Sequence, residues 1–196
     1  MSVKDYETRL YVKDNLSIGK SLVLKNDQSH YIRSVLRLKE NSQIALFNGE
    51  EGEWLSTIKI ISKKFVELEV IEQIKLQDVI SDIWLVFAPI KRTRIDYLAQ
   101  KATELGAGAL WPIFTKYTSV SRVNAERLRS TSIEAAEQSG RLTVPKILDP
   151  IDFDTLIEKW PHDRDLFCLD ETGRGAPILD AFRSSHQRAS GLLIGP

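Results

Sequence analysis

A chain of 196 residues, 42% hydrophobic and 28% charged, has an ordinary globular composition with room for one large domain or two small ones. Its formal net charge is zero, so no global basic field announces a nucleic-acid partner. A lone Cys168 excludes an internal disulfide, the charged start Met-Ser-Val-Lys-Asp-Tyr-Glu is unlike a signal peptide, and no apolar run reaches the ~18 residues of a membrane span; the expectation is a cytoplasmic protein with no membrane partner.

Residues 1–75 read as mostly β. Arg9 to Val12 and Ser21 to Leu24 are short strands around a turn at Ser17-Ile18-Gly19. Asn26 or Asp27 is expected to cap a short helix, His30 to Leu36, which would put Arg33 and Arg37 on one face. Gln43 to Phe47 leads into Asn48-Gly49, a hairpin dipeptide because both residues tolerate positive φ, and Trp54 to Ile61 returns. In Phe65 to Ile71, Val66, Leu68 and Val70 alternate with Glu67 and Glu69, a strand with one wet face. Several short strands around one helix suggest a small barrel, and Gln73 to Ser81 reads as a linker.

The second part opens with an apolar run, Ile83 to Ala88, closed by Pro89 and read as a buried strand. Three cations follow in four residues, Lys91, Arg92 and Arg94. Then Ile95, Leu98, Ala99, Ala102 and Leu105 mark one helical face, capped by Thr93 and ended by Gly106. Ala109 to Ile113 is a second strand, broken by Pro112. Asn124 caps a long helix whose Ala125, Leu128, Ser132, Ala135, Ala136 and Ser139 form a small-residue face, and Gly140 ends it. Asp152 starts a short helix stopped by Pro161. Leu166 to Leu169 is a third buried strand, Pro177 opens a helix to Arg183, and Leu192 to Ile194 is a fourth strand. Strands alternating with helices imply a largely parallel sheet, an α/β domain over 82–196 behind the 1–75 barrel. Charge is uneven here: residues 82–145 hold nine Lys/Arg against six Asp/Glu, and 146–196 hold six against nine, which favours an anionic ligand near the middle of the chain.

Chemical motifs are sparse. His30, His162 and His186 show no metal spacing with Cys168 or the carboxylates, so no metal is expected. There is no P-loop, no G-x-S-x-G elbow and no G-x-G-x-x-G fingerprint, which disfavours a nucleotide-binding enzyme of those kinds. Gly173-Arg174-Gly175 is half of a glycine-rich turn. Lys91, Arg92 and Arg94 stand at a strand's carboxyl end, where open α/β sheets place ligands, or form a solvated turn. Arg33 and Arg37 either straddle phosphates or keep the surface soluble. Arg141, following Glu134, Glu137 and Gln138, is part of a salt-bridge network or a site wall. Gly195, after an apolar strand, exposes backbone groups to a ligand without side-chain obstruction.

Five segments in order, Arg9-Leu10-Tyr11, His30 to Arg37, Gln100 to Gly106, Glu134 to Arg141 and Leu192 to Pro196, together resemble the signatures of the ribosomal small-subunit RNA methyltransferase E family. The resemblance implies a PUA-like barrel that helps hold RNA, then a SPOUT-type α/β domain with a trefoil knot. It implies S-adenosyl-L-methionine as cofactor, N3 of a uridine in 16S rRNA as methyl acceptor, the small ribosomal subunit as partner, and a homodimer. In the family the last strand continues beyond Ile-Gly-Pro, so the natural protein is expected to be longer and the knot-forming segment to be missing. Arg9 and Arg141 are the resulting candidates for catalysis, with Glu137 a base or a partner of Arg141. Arg33, Arg37, Lys91, Arg92 and Arg94 are the candidates for RNA contact. Leu169, Asp170, Glu171, Ile194, Gly195 and Pro196 are those for the cofactor wall. The rival reading is a non-catalytic RNA-binding module.

Overall fold

Alternation decides the first half of the chain. In the computed structural model, which describes residues 6–79, 81–90, 92–118, 120–169, 172–185 and 189–195, Leu22 and Leu24 are buried while Ser21, Val23 and Lys25 between them are exposed, the period-two pattern of a strand with one wet face. The chain divides into two units, Met1–Val79 and Ile80–Pro196.

In the first unit, β1 (Thr8–Tyr11), β2 (Ser21–Lys25), β3 (Gln43–Phe47), β4 (Glu53–Ile61) and β5 (Phe65–Lys75) form one sheet in the order β1-β3-β4-β5-β2. Only the β1–β3 pair is parallel. Register shifts along β4–β5 at Glu53/Trp54, Leu55/Ser56 and Ile58/Ile60 bend the sheet around a core that draws on every strand, including Leu10, Leu22, Ile44, Ile58 and Leu68. Each such side chain contributes about 1.5–3 kcal/mol by leaving water. The helix begins earlier than its composition suggests. Helix α1 (Asn26–His30) starts without a side-chain cap, so neither Asn26 nor Asp27 plays that part. It runs into a π-helical turn, Tyr31–Val35, and Arg37 lies beyond that turn at φ 56°. The four-residue spacing of Arg33 and Arg37 is therefore not an α-helical face. Asn48-Gly49 opens a longer hairpin loop instead of a two-residue turn. Asn48 Oδ1 accepts from Glu50 N and Glu51 N, both at 3.0 Å, and Gly49 and Gly52 both have positive φ. Strand β5 also extends to Lys75, shortening the expected linker.

The second unit is a parallel sheet. Its strands are β6 (Ile83–Phe87), β7 (Ala109–Phe114), β8 (Lys146–Ile147), β9 (Ile151–Asp152), β10 (Asp165–Cys168) and β11 (Ser190–Ile194). The order is β10-β11-β6-β7-β8, with β9 pairing farther along β7. Pro112 does not break β7. It sits where the ladder on one side passes from β8, at Ala109 and Leu110, to β9, at Ile113 and Phe114. Strand β10 is a half-buried edge, not the buried strand its composition suggests.

Helices cover both faces. Helix α2 (Arg92–Glu104) and α3 (Ala125–Ser139) share a core with Phe87 and Leu110 on one face. The buried Leu128, Ser132, Ala135 and Ala136 let α3 approach closely, whereas Ala125 and Ser139 are exposed. Asn124 Oδ1 accepts from Arg127 N at 3.0 Å, and Gly140 closes α3 at φ 76°. Helix α5 (Ile178–Ser184) joins that face through Phe182, 4.4 Å from Phe167, whose sheet neighbours Leu192 and Leu85 point the same way. On the opposite face α4 (Phe153–Lys159) buries Leu156 against Val86, Ile113 and Leu193. There Trp84, Trp111 and Trp160 meet with ring centroids 5.9–6.1 Å apart. Arg164 lies 3.9 Å over Trp84.

Candidate functional site

Sheet order brings distant parts of the sequence to one edge. Strand β11 is hydrogen-bonded between β10 and β6, so the carboxyl ends of β10, β11, β6 and β7 form a row. Ala88 N donates to Ile194 O at 3.0 Å. A Cβ added at Gly195 would lie 2.6 Å from the Ala88 Cβ, so the glycine lets the end of β11 close onto β6. The candidate cofactor residues Ile194 and Gly195 thus stand beside the turn that leads to Arg92 and Arg94. Open parallel sheets place their ligands outside such carboxyl ends.

Two hollows occupy this edge. An open pocket of about 650 Å³ lies between β10 and α5, lined by Phe167, Cys168, Leu169, Gly173, Gly175 and Ile178 among others. Its wall is mostly apolar, and a Cβ on Gly173 or Gly175 would meet nothing within 4 Å. Of the cofactor candidates, Leu169 lines this pocket. Asp170, Glu171 and Pro196 lie outside the described residues. Besides Leu169, which the resemblance named, the pair Gly173-x-Gly175 was a sequence signal for it, and Cys168 carried none. Cys168 is exposed and free.

The second hollow, a cleft of about 310 Å³, lies where α2 and α3 begin, with Ile90, Ile95, Asp96, Arg122, Asn124 and Arg127 in its wall. Arg127 grips Asp96 through both Nε, 2.8 Å, and Nη2, 2.5 Å. That hydrogen-bonded carboxylate raises the pKa of the guanidinium further above its ordinary value. Arg122 is exposed and forms no ion pair among the described residues. Arg94, on the first turn of α2, is exposed as well. Lys91 lies outside the described residues, and of Arg92 only the backbone is described. Sequence reasoning missed Asp96, Arg122 and Arg127, because nothing local ties the start of one helix to the start of the next.

Arg141 is elsewhere. Its Nε donates to Glu104 O at 2.9 Å, the carbonyl end of α2, where a cation is favoured by the helix dipole. Its guanidinium crosses Gly106 so closely that a Cβ there would be 2.8 Å from Nη1. Segments 100–106 and 134–141 therefore do meet, and Gln100, Glu134 and Gln138 share a small cleft of about 140 Å³. Glu104 takes hydrogen bonds from Lys101 and Gln100, which hold its carboxyl below the ordinary value. This cluster stands toward the opposite end of α2 from the 310 Å³ cleft, about 20 Å for thirteen residues.

Arg9 belongs to the first unit and is buried. It pairs with Glu53 and lies 4.6 Å over the Phe47 ring. Neighbouring Tyr6 has a raised hydroxyl pKa, chiefly from burial, with Glu53 adding to the shift and Arg9 opposing it. Arg33 is half-buried against the β4–β5 turn, its Nη1 donating to the carbonyls of Ser62 and Lys63, while Arg37 is exposed. Among the described residues no three His, Cys, Asp or Glu side chains come close enough to hold a metal ion, and no helix is long and apolar enough to cross a membrane.

Residues 77–196 match an RNA methyltransferase domain family, and residues 24–71 an RNA methyltransferase PUA domain family. The chain is 36% identical over 189 residues to the ribosomal RNA small subunit methyltransferase E of Rickettsia conorii, spanning 96% of this chain and 77% of that protein. To the protein of the same description from Synechocystis it is 29% identical over 177 residues, 89% of this chain but 58% of the other. A crystal structure of ribosomal RNA small subunit methyltransferase E from Neisseria gonorrhoeae, bound to S-adenosyl methionine, has a TM-score of 0.86 at 26% identity, covering 97% of this chain and 80% of that one.

Proposed function

The chain belongs to the ribosomal RNA small subunit methyltransferase E family, and from that premise we propose that it methylates N3 of a uridine in 16S rRNA with S-adenosyl-L-methionine as donor. The observation that carries this reading is the sheet's carboxyl edge, where an apolar, glycine-lined pocket and an arginine-bearing cleft stand on one row of strand ends. The pocket's 650 Å³ lies within the ~300–1,000 Å³ usual for ligand sites, and the open space beside Gly173 and Gly175 suits a ligand of the donor's size. Leu169, Asp170 and Glu171 with Ile194, Gly195 and Pro196 would hold it. When bound it supplies an electrophilic methyl carbon on a sulfonium.

The protein's own work is then alignment and charge. Holding the uracil N3 in line with the methyl removes an entropic barrier that can be worth several kcal/mol. The N3 proton must pass to a base, for which Glu137 is the candidate, and the uracil anion so formed carries negative charge on O2 and O4; its N3 lone pair then forms the N3–C bond as the methyl–sulfur bond breaks with its electron pair going to sulfur. Guanidinium groups aimed at those oxygens stabilise that charge in a site from which water is excluded. Arg33, Arg37, Lys91, Arg92 and Arg94 serve RNA contact in this reading. Arg9 and Arg141 remain its catalytic candidates. Because Arg141 stands at the carboxyl end of α2, about one helix length from the cleft where α2 begins, it serves the reaction only if a second copy brings it to the site, so a homodimer is part of the proposal. The partner is 16S rRNA or the small ribosomal subunit, in the cytoplasm.

Cys168 offers a direct test, being the only thiol and lying in the pocket wall. Saturating S-adenosylmethionine should slow its alkylation by iodoacetamide at least tenfold, and nucleoside mass spectrometry of treated, unmodified 16S rRNA should find 3-methyluridine. Unchanged alkylation sinks the pocket assignment. Binding of rRNA with no methylated nucleoside leaves the non-catalytic RNA-binding module.

A further inference from the structure

A cluster of cations in the first unit lies between α1 and the β4–β5 turn. A shallow cleft of about 570 Å³ there is lined by Lys25, His30, Arg33, Lys63, Lys64 and Phe65 among others, and among the described residues no carboxylate lines it. Two other lysines of this unit are ion-paired, Lys59 with Glu69 at 2.6 Å and Lys75 with Asp78 at 3.0 Å, while Lys13, Lys20 and Lys39 are not among the residues lining this cleft. Lys25, Lys63 and Lys64 form no ion pair among the described residues, although all three are exposed. Gathering like charges without a counter-charge costs stability, and an external polyanion is what offsets it.

The turn carrying two of these lysines is held firmly. Ser62 N donates to Phe65 O at 2.9 Å, and Ser62 Oγ accepts from Phe65 N at 2.9 Å and Lys64 N at 3.2 Å. From across the cleft, Arg33 Nη1 donates to the carbonyls of both Ser62 and Lys63. The backbone that carries Lys63 and Lys64 is thus set before any ligand arrives, and half-buried Phe65 lines the same cleft. A basic groove with an aromatic ring is the arrangement that grips single-stranded nucleic acid, with phosphates on the cations and a base stacked on the ring.

We infer that this cleft is a grip for single-stranded RNA, in which Lys25, Lys63 and Lys64 neutralise phosphates, Phe65 stacks on one base, and Arg33 is a positioning residue holding the turn. The inference rests on the proposed rRNA substrate and deepens it. Arg33 acts mainly through the turn, not as one half of a pair with Arg37.

The test is filter binding of the full chain to transcribed 16S rRNA from 50 to 200 mM KCl. Each phosphate contact to a single strand contributes about −0.7 to the slope of log K against log salt. Lys63→Gln with Lys64→Gln should make that slope shallower by about 1.4, with S-adenosylmethionine binding by calorimetry unchanged. Phe65→Leu, which keeps an apolar side chain, should weaken binding at least about fivefold at an unaltered slope. Arg33→Gln combined with the lysine pair should weaken binding by less than the product of the separate effects, since Arg33 acts by placing the turn that carries those lysines. A lysine pair that binds with the parental slope overturns the cleft. A parent chain whose rRNA affinity ignores salt overturns the rRNA reading itself.

Discussion

Gly106 answers to two requirements at once. Its φ of +87° is a region where a Cβ costs about 1–2 kcal/mol, and the Arg141 guanidinium occupies the place a Cβ would take. The guanidinium is the far end of a flexible side chain and can move aside, so the backbone term decides the outcome. Gly106→Ala should therefore lower the unfolding free energy in urea by about 1–2 kcal/mol. Arg141 would also leave Glu104 O, so Arg141→Ala should cost less stability in the Gly106→Ala background than in the parent. Full additivity of the two would mean that they do not share one local arrangement. Arg9 shows the opposite economy. A buried arginine already paired with Glu53 and seated on Phe47 holds its own unit together, whatever else it does.

At the scale of elements, caps are where chemistry can be read out by pH. Asp152 caps α4, accepting from Thr155 N at 2.8 Å and from the Thr155 hydroxyl at 2.7 Å, and these bonds hold its carboxyl below the ordinary aspartate value. A depressed folded-state pKa stabilises fully above the unfolded value of about 3.9, and the stabilisation is lost as pH falls through the lowered one. Exchange protection of the Thr155 amide should thus persist through pH 4 and decline only below it. Asp152→Asn should abolish that acid dependence, and a carboxyl titrating at or above the ordinary value would sink the argument. Such caps were legible in the sequence because they are local: Asn124, Gly140, Asp152 and Gly106 stand within one turn of the ends they mark. Leu105 was misplaced for a related reason. Periodicity assigns it to the buried face of α2, but the helix ends at Glu104 and Leu105 is 82% exposed. Arg33 and Arg37 were paired by α-helical spacing that the π-helical turn removes. The pocket needed non-local information, since nothing in residues 83–90 says that the strand at 190–194 will lie beside them.

For the whole molecule, the two units have separate cores. Leu10, Ile44 and Leu68 belong to one, while Phe87 with Leu110, and Val86 with Trp111, belong to the other. Unfolding in urea should then depart from a single two-state transition, with tryptophan fluorescence and far-UV circular dichroism giving different midpoints. Coincident curves would mean one cooperative unit. The three packed tryptophans make this easy to see. Trp84, Trp111 and Trp160 all lie in the second unit, and Trp54, the fourth and last, lies in the first with its Nε1 donating to Glu51 O at 2.7 Å. Trp54→Phe leaves all the indole emission to the second unit. The nearly parallel Trp111–Trp160 stack, 6.1 Å apart with a 19° interplanar angle, is close enough for its two transition dipoles to couple. The sheet of the second unit thus carries a built-in chromophore pair, and its near-ultraviolet signal serves as an optical gauge of whether that sheet is assembled.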